Sequence, residues 1–211
     1  QGQATLYVRF DFTPPILAWA DPTPAEGSRL ATGLIPAAVV LSESALTAIN
    51  GQGVELEPGP DPAMPFRASA ELEAQEGQVV LTASAVDGAG NRATLSRALD
   101  VGLTAPRIQL ESPVLDPEAR FTTANPGATL VGRVLAPDFV RPLTFTVNGR
   151  VEALDAEGRF QVPVTLAQGS NPFNLRAVSR FGQAGALALT LLRTSQDAPP
   201  EDPVAVQIDW P

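Results

Sequence analysis

"GQVVLTASAVDGAGNRATL", residues 77–95, decides the fold, because its pattern returns 92 residues later (169 − 77). The second stretch is "GSNPFNLRAVSRFGQAGAL", residues 169–187. Glycine and apolar positions coincide when one stretch is shifted onto the other: Gly77 with Gly169, Leu81 with Phe173, Ala83 with Leu175, Gly90 with Gly182 and Leu95 with Leu187. Asp87 and Asn91 meet Ser179 and Gln183 instead. Self-similarity at a fixed spacing indicates a repeated structural unit.

Two more segments repeat at a similar spacing. "LAWADP" (17–22), "IQLESP" (108–113) and "VQIDWP" (206–211) all read apolar, x, apolar, x, x, Pro, with prolines 91 and 98 residues apart (113 − 22 and 211 − 113). "VRFDFTPP" (8–15) likewise matches "LDVGLTAP" (99–106). The repeat unit is therefore about 91–98 residues long.

This spacing predicts the domain organisation. We expect the terminal strand of a preceding repeat over residues 1–11, a first domain over 12–103 and a second over 104–195. Residues 196–211 are then a Pro-rich linker and the first strand of a following repeat. Three fates stay open for the two ends: they are stubs of a longer array, they fold onto the adjacent domain, or they pair with a sheet of another molecule by strand donation.

Within each repeat the local pattern is that of β-strands. "TLYVRFDF" (5–12), "RFQVPVTL" (159–166) and "ALALTLLR" (186–193) place apolar residues at every second position, which is typical of half-buried strands. Asn148-Gly149 predicts a tight hairpin turn, and "INGQGVEL" (49–56) is its counterpart in the first repeat.

About seven short strands per repeat, with turns such as "DAEGRF" (155–160) between them, predict an all-β fold of two tandem immunoglobulin-like β-sandwich domains. The short linker that carries Pro106 favours an extended arrangement of the two domains.

The chain resembles the tandem bacterial Ig-like domains of extracellular cell-surface proteins. The second repeat is similar to modules of the glucodextranase domain B type through residues 145–182, which combine an Asn-Gly turn, a D-x-x-G-x-F turn and an L-x-x-G-x-N segment. The first repeat carries the frequent ending A-x-D-x-x-G-N at Ala85, Asp87, Gly90 and Asn91. Such modules serve as spacers, adhesins and enzyme accessories, so the resemblance implies a fold and leaves the function open.

The composition disfavours several classes of partner. All 14 positive charges are Arg against 23 acidic residues, which gives a net charge of −9. Nucleic acids and anionic membranes need a basic surface that this chain does not offer. No apolar run is long enough to insert into a membrane. We therefore expect neighbouring repeats or other protein subunits as partners, and no small-molecule ligand.

The sequence "DGAGN" (87–91) raises the question of a ligand loop. Asp87 and Asn91 would offer oxygen atoms to calcium, but six or more ligands are required. Asp, Gly and Asn are also the residues that build turns. We predict a turn, with no cofactor and no metal centre, and keep Asp87 and Asn91 as a weak calcium candidate.

Catalysis is not expected. The chain has no His and no Cys, so the common nucleophile–base pairs are missing. The acidic groups at Glu71, Glu73 and Glu76, and at Asp155 and Glu157, are interpreted as solvated charge rather than as a glycosidase pair.

The two repeats differ in length at two segments, "EPGPDPAMPF" (57–66) and "DPEARFTTANPG" (116–127), which we predict to be loops. Trp19 and Trp210 are expected to pack in a core or a domain junction. The sequence favours a non-enzymatic stalk or adhesion segment of an extracellular bacterial surface protein. The alternatives are a subunit of an extracellular filament assembled by strand donation, and an accessory or carbohydrate-binding module of a polysaccharide-active enzyme.

Overall fold

A computed structural model describes residues 10–195 of the chain. Residues 1–9 and 196–211 lie outside the described residues, and with them most of the predicted first strand, the predicted last strand and Trp210. Residues 10–12, the described end of the predicted strand over 5–12, are not part of a strand. No helix in the described part of the chain is long and apolar enough to cross a membrane.

The chain forms two compact units, and each has its own apolar core. The first unit ends at Thr104 and the second begins at Ala105, while Phe181–Gln183 is grouped with the first. Both units are built from two mostly antiparallel sheets that face each other, so the predicted all-β fold of tandem immunoglobulin-like sandwiches is confirmed.

The first unit contains nine strands in its described residues. They are β1 (Leu17–Ala20), β2 (Arg29–Leu30), β3 (Leu34–Leu41), β4 (Leu46–Ile49), β5 (Gln52–Val54), β6 (Glu57–Asp61), β7 (Met64–Glu73), β8 (Gly77–Val86) and β9 (Arg92–Val101). One sheet has the order β1-β3-β7-β6 and the other the order β2-β9-β8-β4-β5.

The second unit contains eight strands and one short 3-10 helix at Asp138–Val140. The strands are β10 (Arg107–Ser112), β11 (Arg120–Thr123), β12 (Gly127–Leu135), β13 (Leu143–Val147), β14 (Arg150–Glu152), β15 (Arg159–Thr165), β16 (Gly169–Ser179) and β17 (Ala184–Arg193). The sheets have the orders β10-β12-β15 and β11-β17-β16-β13-β14.

The prediction that residues 57–66 and 116–127 are loops is wrong. The first segment contains β6 and the start of β7, and the second contains β11. These short strands lack an alternation of apolar and polar residues, because "EPGPD" contains prolines and acidic turn residues precede Arg120. Both lie at the edge of a sheet, where Pro and charged residues are tolerated.

The two-residue period places one face of each strand in the core. In β8, Leu81, Ala83 and Ala85 are buried while the residues between them are more exposed. In the second unit, Phe145 and Phe160 stack in the core with ring centroids 4.6 Å apart. Burial of these side chains supplies the main driving force for each unit.

The corresponding Asn-Gly turns of the two units make the same hydrogen bonds. Both Asn-Gly turns have positive φ at both residues, as tight hairpin turns require. Asn50 Oδ1 accepts the N–H of Thr82 at 2.7 Å, and Asn148 Oδ1 accepts the N–H of Asn174 at 2.7 Å. Thr82 and Asn174 are 92 residues apart, so the side chain of the turn Asn fastens the hairpin to the neighbouring strand in the same way twice.

Three further turns share one geometry, although they occupy different places: "DGAGN" (87–91), "DPEAR" (116–120) and "DAEGR" (155–159). In each turn the Asp N–H donates to the carbonyl oxygen four residues later, and its Oδ1 accepts two N–H groups, from the second and fourth residues that follow. The residue three positions after the Asp has positive φ in each turn: Gly90 at 92°, Ala119 at 58° and Gly158 at 82°.

Ala119 differs from Gly90 and Gly158 because it carries a Cβ. An L-residue with a Cβ is strained at positive φ by about 1–2 kcal/mol. We expect Ala119→Gly to stabilise the second unit by about 0.5–1 kcal/mol after the greater flexibility of Gly in the unfolded chain is subtracted. The matched opposite change, Gly158→Ala, should destabilise the same unit by about 1–2 kcal/mol or more, since its Cβ would also lie 2.6 Å from the Val134 carbonyl oxygen. Urea unfolding measures both; a less stable Ala119→Gly variant would contradict the shared turn geometry.

Candidate functional site

The sequence "DGAGN" forms the turn of the long hairpin between β8 and β9. Asp87 is 7% exposed and sits at the centre of the turn. Its Oδ1 accepts the N–H groups of Ala89 at 2.9 Å and Asn91 at 2.8 Å, and its Oδ2 accepts the Asn91 side-chain amide at 2.8 Å. The two residues of the weak calcium candidate therefore contact each other, and both oxygens of Asp87 serve the turn.

These hydrogen bonds favour the charged form of Asp87. The side-chain amide of Asn91 is the main cause that holds the pKa of Asp87 below its ordinary value, and the backbone N–H groups of the turn add to it against the opposing effect of burial. A carboxylate with this environment stabilises the folded state when it is ionised.

The structure brings two carboxylates to Asp87 that sequence reasoning did not place there. Asp11, on the segment before β1, and Glu43, on the loop after β3, each have an oxygen atom within 4.8 Å of the others and of Asp87. Asn91 also binds this segment, since its side-chain amide donates to the carbonyl oxygens of Asp11 at 3.2 Å and Thr13 at 3.4 Å.

The three carboxylates form a concentrated negative charge at this end of the first unit. Calcium takes six to eight oxygen ligands, and both oxygens of Asp87 already accept hydrogen bonds within the turn. No sequence signal joins residues 11, 43 and 87, because only the fold makes them neighbours.

The other acidic groups singled out in the sequence lie on a strand and in a turn. Glu71 and Glu73 are exposed on β7. Asp155 caps its own turn and accepts the N–H of Glu157 at 3.0 Å.

Glu76 has a structural contact of its own. Its Oε2 accepts the N–H groups of Leu103 at 2.8 Å and Thr104 at 2.6 Å, just where the chain leaves β9. Burial raises the pKa of Glu76, but the hydrogen bonds from Thr104 and Leu103 together outweigh it and lower the pKa below its ordinary value. Glu76 therefore fastens the end of the first unit.

An open groove of 1020 Å³ lies in the first unit beside β4, β5 and the end of β8. Its lining contains no aromatic side chain; it is built from Leu46, Val54, Val86 and small or polar neighbours. An aromatic platform that could stack against a sugar ring is therefore missing from the lining of this groove.

Exposed aromatic rings occur instead at Phe10 and Phe12. They are 74% and 81% exposed, and their rings stack with centroids 6.1 Å apart. The prediction of a half-buried strand over 5–12 is therefore wrong for these two side chains, which the structure leaves exposed. Trp19 does pack against the core of the first unit, with the Arg97 guanidinium 5.5 Å from its ring centroid.

Comparisons with known proteins return structural similarity alone. No protein-family profile and no curated protein sequence matches the chain. The fibronectin(III)-like modules of Clostridium thermocellum CbhA are 13% identical, with a TM-score of 0.41, over 85% of this chain and 95% of that one. The ICAM-5 D1–D4 ectodomain fragment is 16% identical, with a TM-score of 0.48, over 88% and 48%. The insect immune protein hemolin is 14% identical, with a TM-score of 0.41, over 86% and 46%.

The role of Asp87 in the turn predicts a specific pH dependence. Because its pKa is lowered in the folded state, its contribution is fully present above about pH 4, the unfolded value, and is lost as the pH falls through the folded pKa. Asp87→Asn should therefore lower the Tm of the first unit at pH 7, and the gap to the wild type should close towards pH 2.5. Asn91→Ala should show the same trend with a smaller gap. A gap that is constant over this range would contradict the role of the ionised carboxylate.

The cluster of carboxylates predicts repulsion. In chelator at low salt, Asp11→Asn and Glu43→Gln should each raise the Tm of the first unit by about 1–4 °C, since each removes a like charge near the other two. Glu55→Gln, an exposed change of equal charge outside the cluster, is the matched control and should have a smaller effect. If both variants instead lower the Tm in calcium buffer and not in chelator, the cluster is a calcium centre and the interpretation as a mere turn fails.

Proposed function

We propose that the chain is a non-enzymatic, load-bearing segment of an extracellular bacterial surface protein, a stalk or adhesion module that works with neighbouring repeats. The observation that carries the proposal is the way each unit is closed. In the second unit, β11 runs parallel to β17 and pairs with it from Arg120↔Thr190 to Thr123↔Arg193. In the first unit, β2 pairs in the same parallel sense with β9.

This pairing joins the start of each unit to its end. When the chain is stretched and β10 has separated from β12, tension pulls β11 backwards from Arg120 and pulls β17 forwards from Arg193. Since the two strands are parallel, these forces slide one strand along the other and load several hydrogen bonds at once. An antiparallel hairpin pulled from its open end would instead break its bonds one after another.

The residues that carry charge suit the same role. The net charge of −9 keeps such segments soluble and apart from one another. Several acidic groups have structural contacts or face the solvent: Asp116 and Asp155 cap turns, Glu76 fastens the end of the first unit, and Glu71 and Glu73 are exposed. A spacer needs these properties and no active site.

Hydrogen bonds at the two ends of the β11–β17 ladder show which N–H groups of β11 point towards β17 and therefore carry load. The N–H of Thr190 donates to Ala119 and that of Thr194 donates to Thr123. By the alternation of a parallel ladder, the N–H of Thr123 points to β17 and the N–H of Thr122 points away from it.

Single-molecule stretching of the full chain tests the proposal. The wild type should give two unfolding events, and Thr123→Pro should lower the force of one of them because it removes a bond of the loaded ladder. Thr122→Pro is the matched control and should keep both forces, since its N–H points outwards. If Thr123→Pro and Thr122→Pro unfold at equal force, the ladder does not carry the load and the proposed function loses its basis.

A further inference from the structure

The second unit exposes a strand edge that the first unit covers. In the first unit, β7 lies between β3 and β6. In the second unit, β15 pairs with β12 on one side, and no strand within residues 10–195 pairs with its other side. The cause is in the sequence: 26 residues separate Gly51 from Gly77 (77 − 51), but 20 separate Gly149 from Gly169 (169 − 149). The extra residues of the first unit form β6.

The register of β15 shows which of its backbone groups face this open edge. Val134 donates its N–H to Gly158 at 2.7 Å just before the strand, and Leu166 donates its N–H to Pro126 at 2.8 Å just after it. Both contacts belong to the same antiparallel ladder, in which hydrogen-bonded positions recur every second residue. The even-numbered residues of β15 therefore bond to β12, and the odd-numbered residues point outwards.

The outward positions of β15 are Arg159, Gln161, Pro163 and Thr165. The N–H of Arg159 is engaged by Asp155 Oδ1 at 2.7 Å. Pro163 has no N–H at all. Gln161 and Thr165 supply the remaining donors, and Pro163 lies between them.

We propose that Pro163 closes this edge against pairing with a second copy of the chain. A strand such as β15, with Phe160, Val162 and Val164 on its inner face, is a ready template for another strand when its edge is free. Among residues 10–195 no strand covers this edge, and Pro163 interrupts its row of donors.

Two-fold pairing of two β15 strands shows why one proline is sufficient. If the symmetry axis passes through residue 163, Gln161 of each copy faces Thr165 of the other, and residue 163 faces itself. The two central hydrogen bonds then require the N–H of residue 163 from both copies. If the axis passes through residue 162, residue 163 of one copy faces Gln161 of the other; if it passes through residue 164, residue 163 faces Thr165. In both cases the pairing again requires the N–H that Pro163 lacks.

Sedimentation velocity of the full chain, over a range from micromolar to several hundred micromolar, tests the proposal. Pro163→Thr supplies the missing N–H and should dimerise at least about tenfold more tightly than the wild type, since two central hydrogen bonds are gained. Pro163→Ala supplies the same N–H without a β-branched side chain and should change the dimer constant in the same direction.

The matched control is the double variant Gln161→Pro/Pro163→Thr, which moves the proline to the adjacent outward position. It should return to the association state of the wild type, and circular dichroism should show the wild-type strand content for all variants. Two results would overturn the proposal. In one, Pro163→Thr and Pro163→Ala associate no more than the wild type; in the other, the double variant associates as strongly as Pro163→Thr, which would assign the effect to the new side chain.

Discussion

The parallel pairing of the last strand of each unit with a short strand near its start is the contact on which the rest of the sandwich depends. For this pairing to form, the entering chain must leave one sheet and cross to the other. It does so between β1 and β2 and between β10 and β11, and the repeated prolines Pro22 and Pro113 stand in these crossings, each after a cis peptide bond. The crossing closes the core and ties the start of each unit to its end.

Around this shared frame the two units solve the same edge problem differently. The first unit uses six additional residues to lay β6 along β7. In the second unit no strand of the described residues pairs with the outer side of β15, and a proline occupies one of its outward positions. The three acidic turns also share a structure. The same five-residue hydrogen-bond pattern forms at Asp87, Asp116 and Asp155, although these turns connect different pairs of strands. The turn at Asp87 therefore has the same hydrogen bonds as two turns elsewhere in the chain.

Much of the fold could be predicted from the sequence because its signals are local. Alternation predicts long strands such as β16 and β17, and Asn-Gly predicts the hairpin turns. The short strands β2 and β11 gave no such signal, since their parallel partners lie about 70 residues further along the chain. In β6 the prolines interrupt the alternation, although its antiparallel partner β7 follows directly in the chain. The proximity of Asp11 and Glu43 to Asp87 was hidden for the same reason, although Asp87 itself was singled out.

Native-state hydrogen exchange by NMR tests the central claim that the closing pair holds each unit together. The amides of Thr190 and Thr194, which donate to Ala119 and Thr123, should exchange as slowly as the amide of Leu175 in the central strand β16. Equal protection would show that β11 separates from β17 only when the whole unit unfolds. Exchange of Thr190 and Thr194 at the rates of fraying ends, while Leu175 stays protected, would contradict the claim.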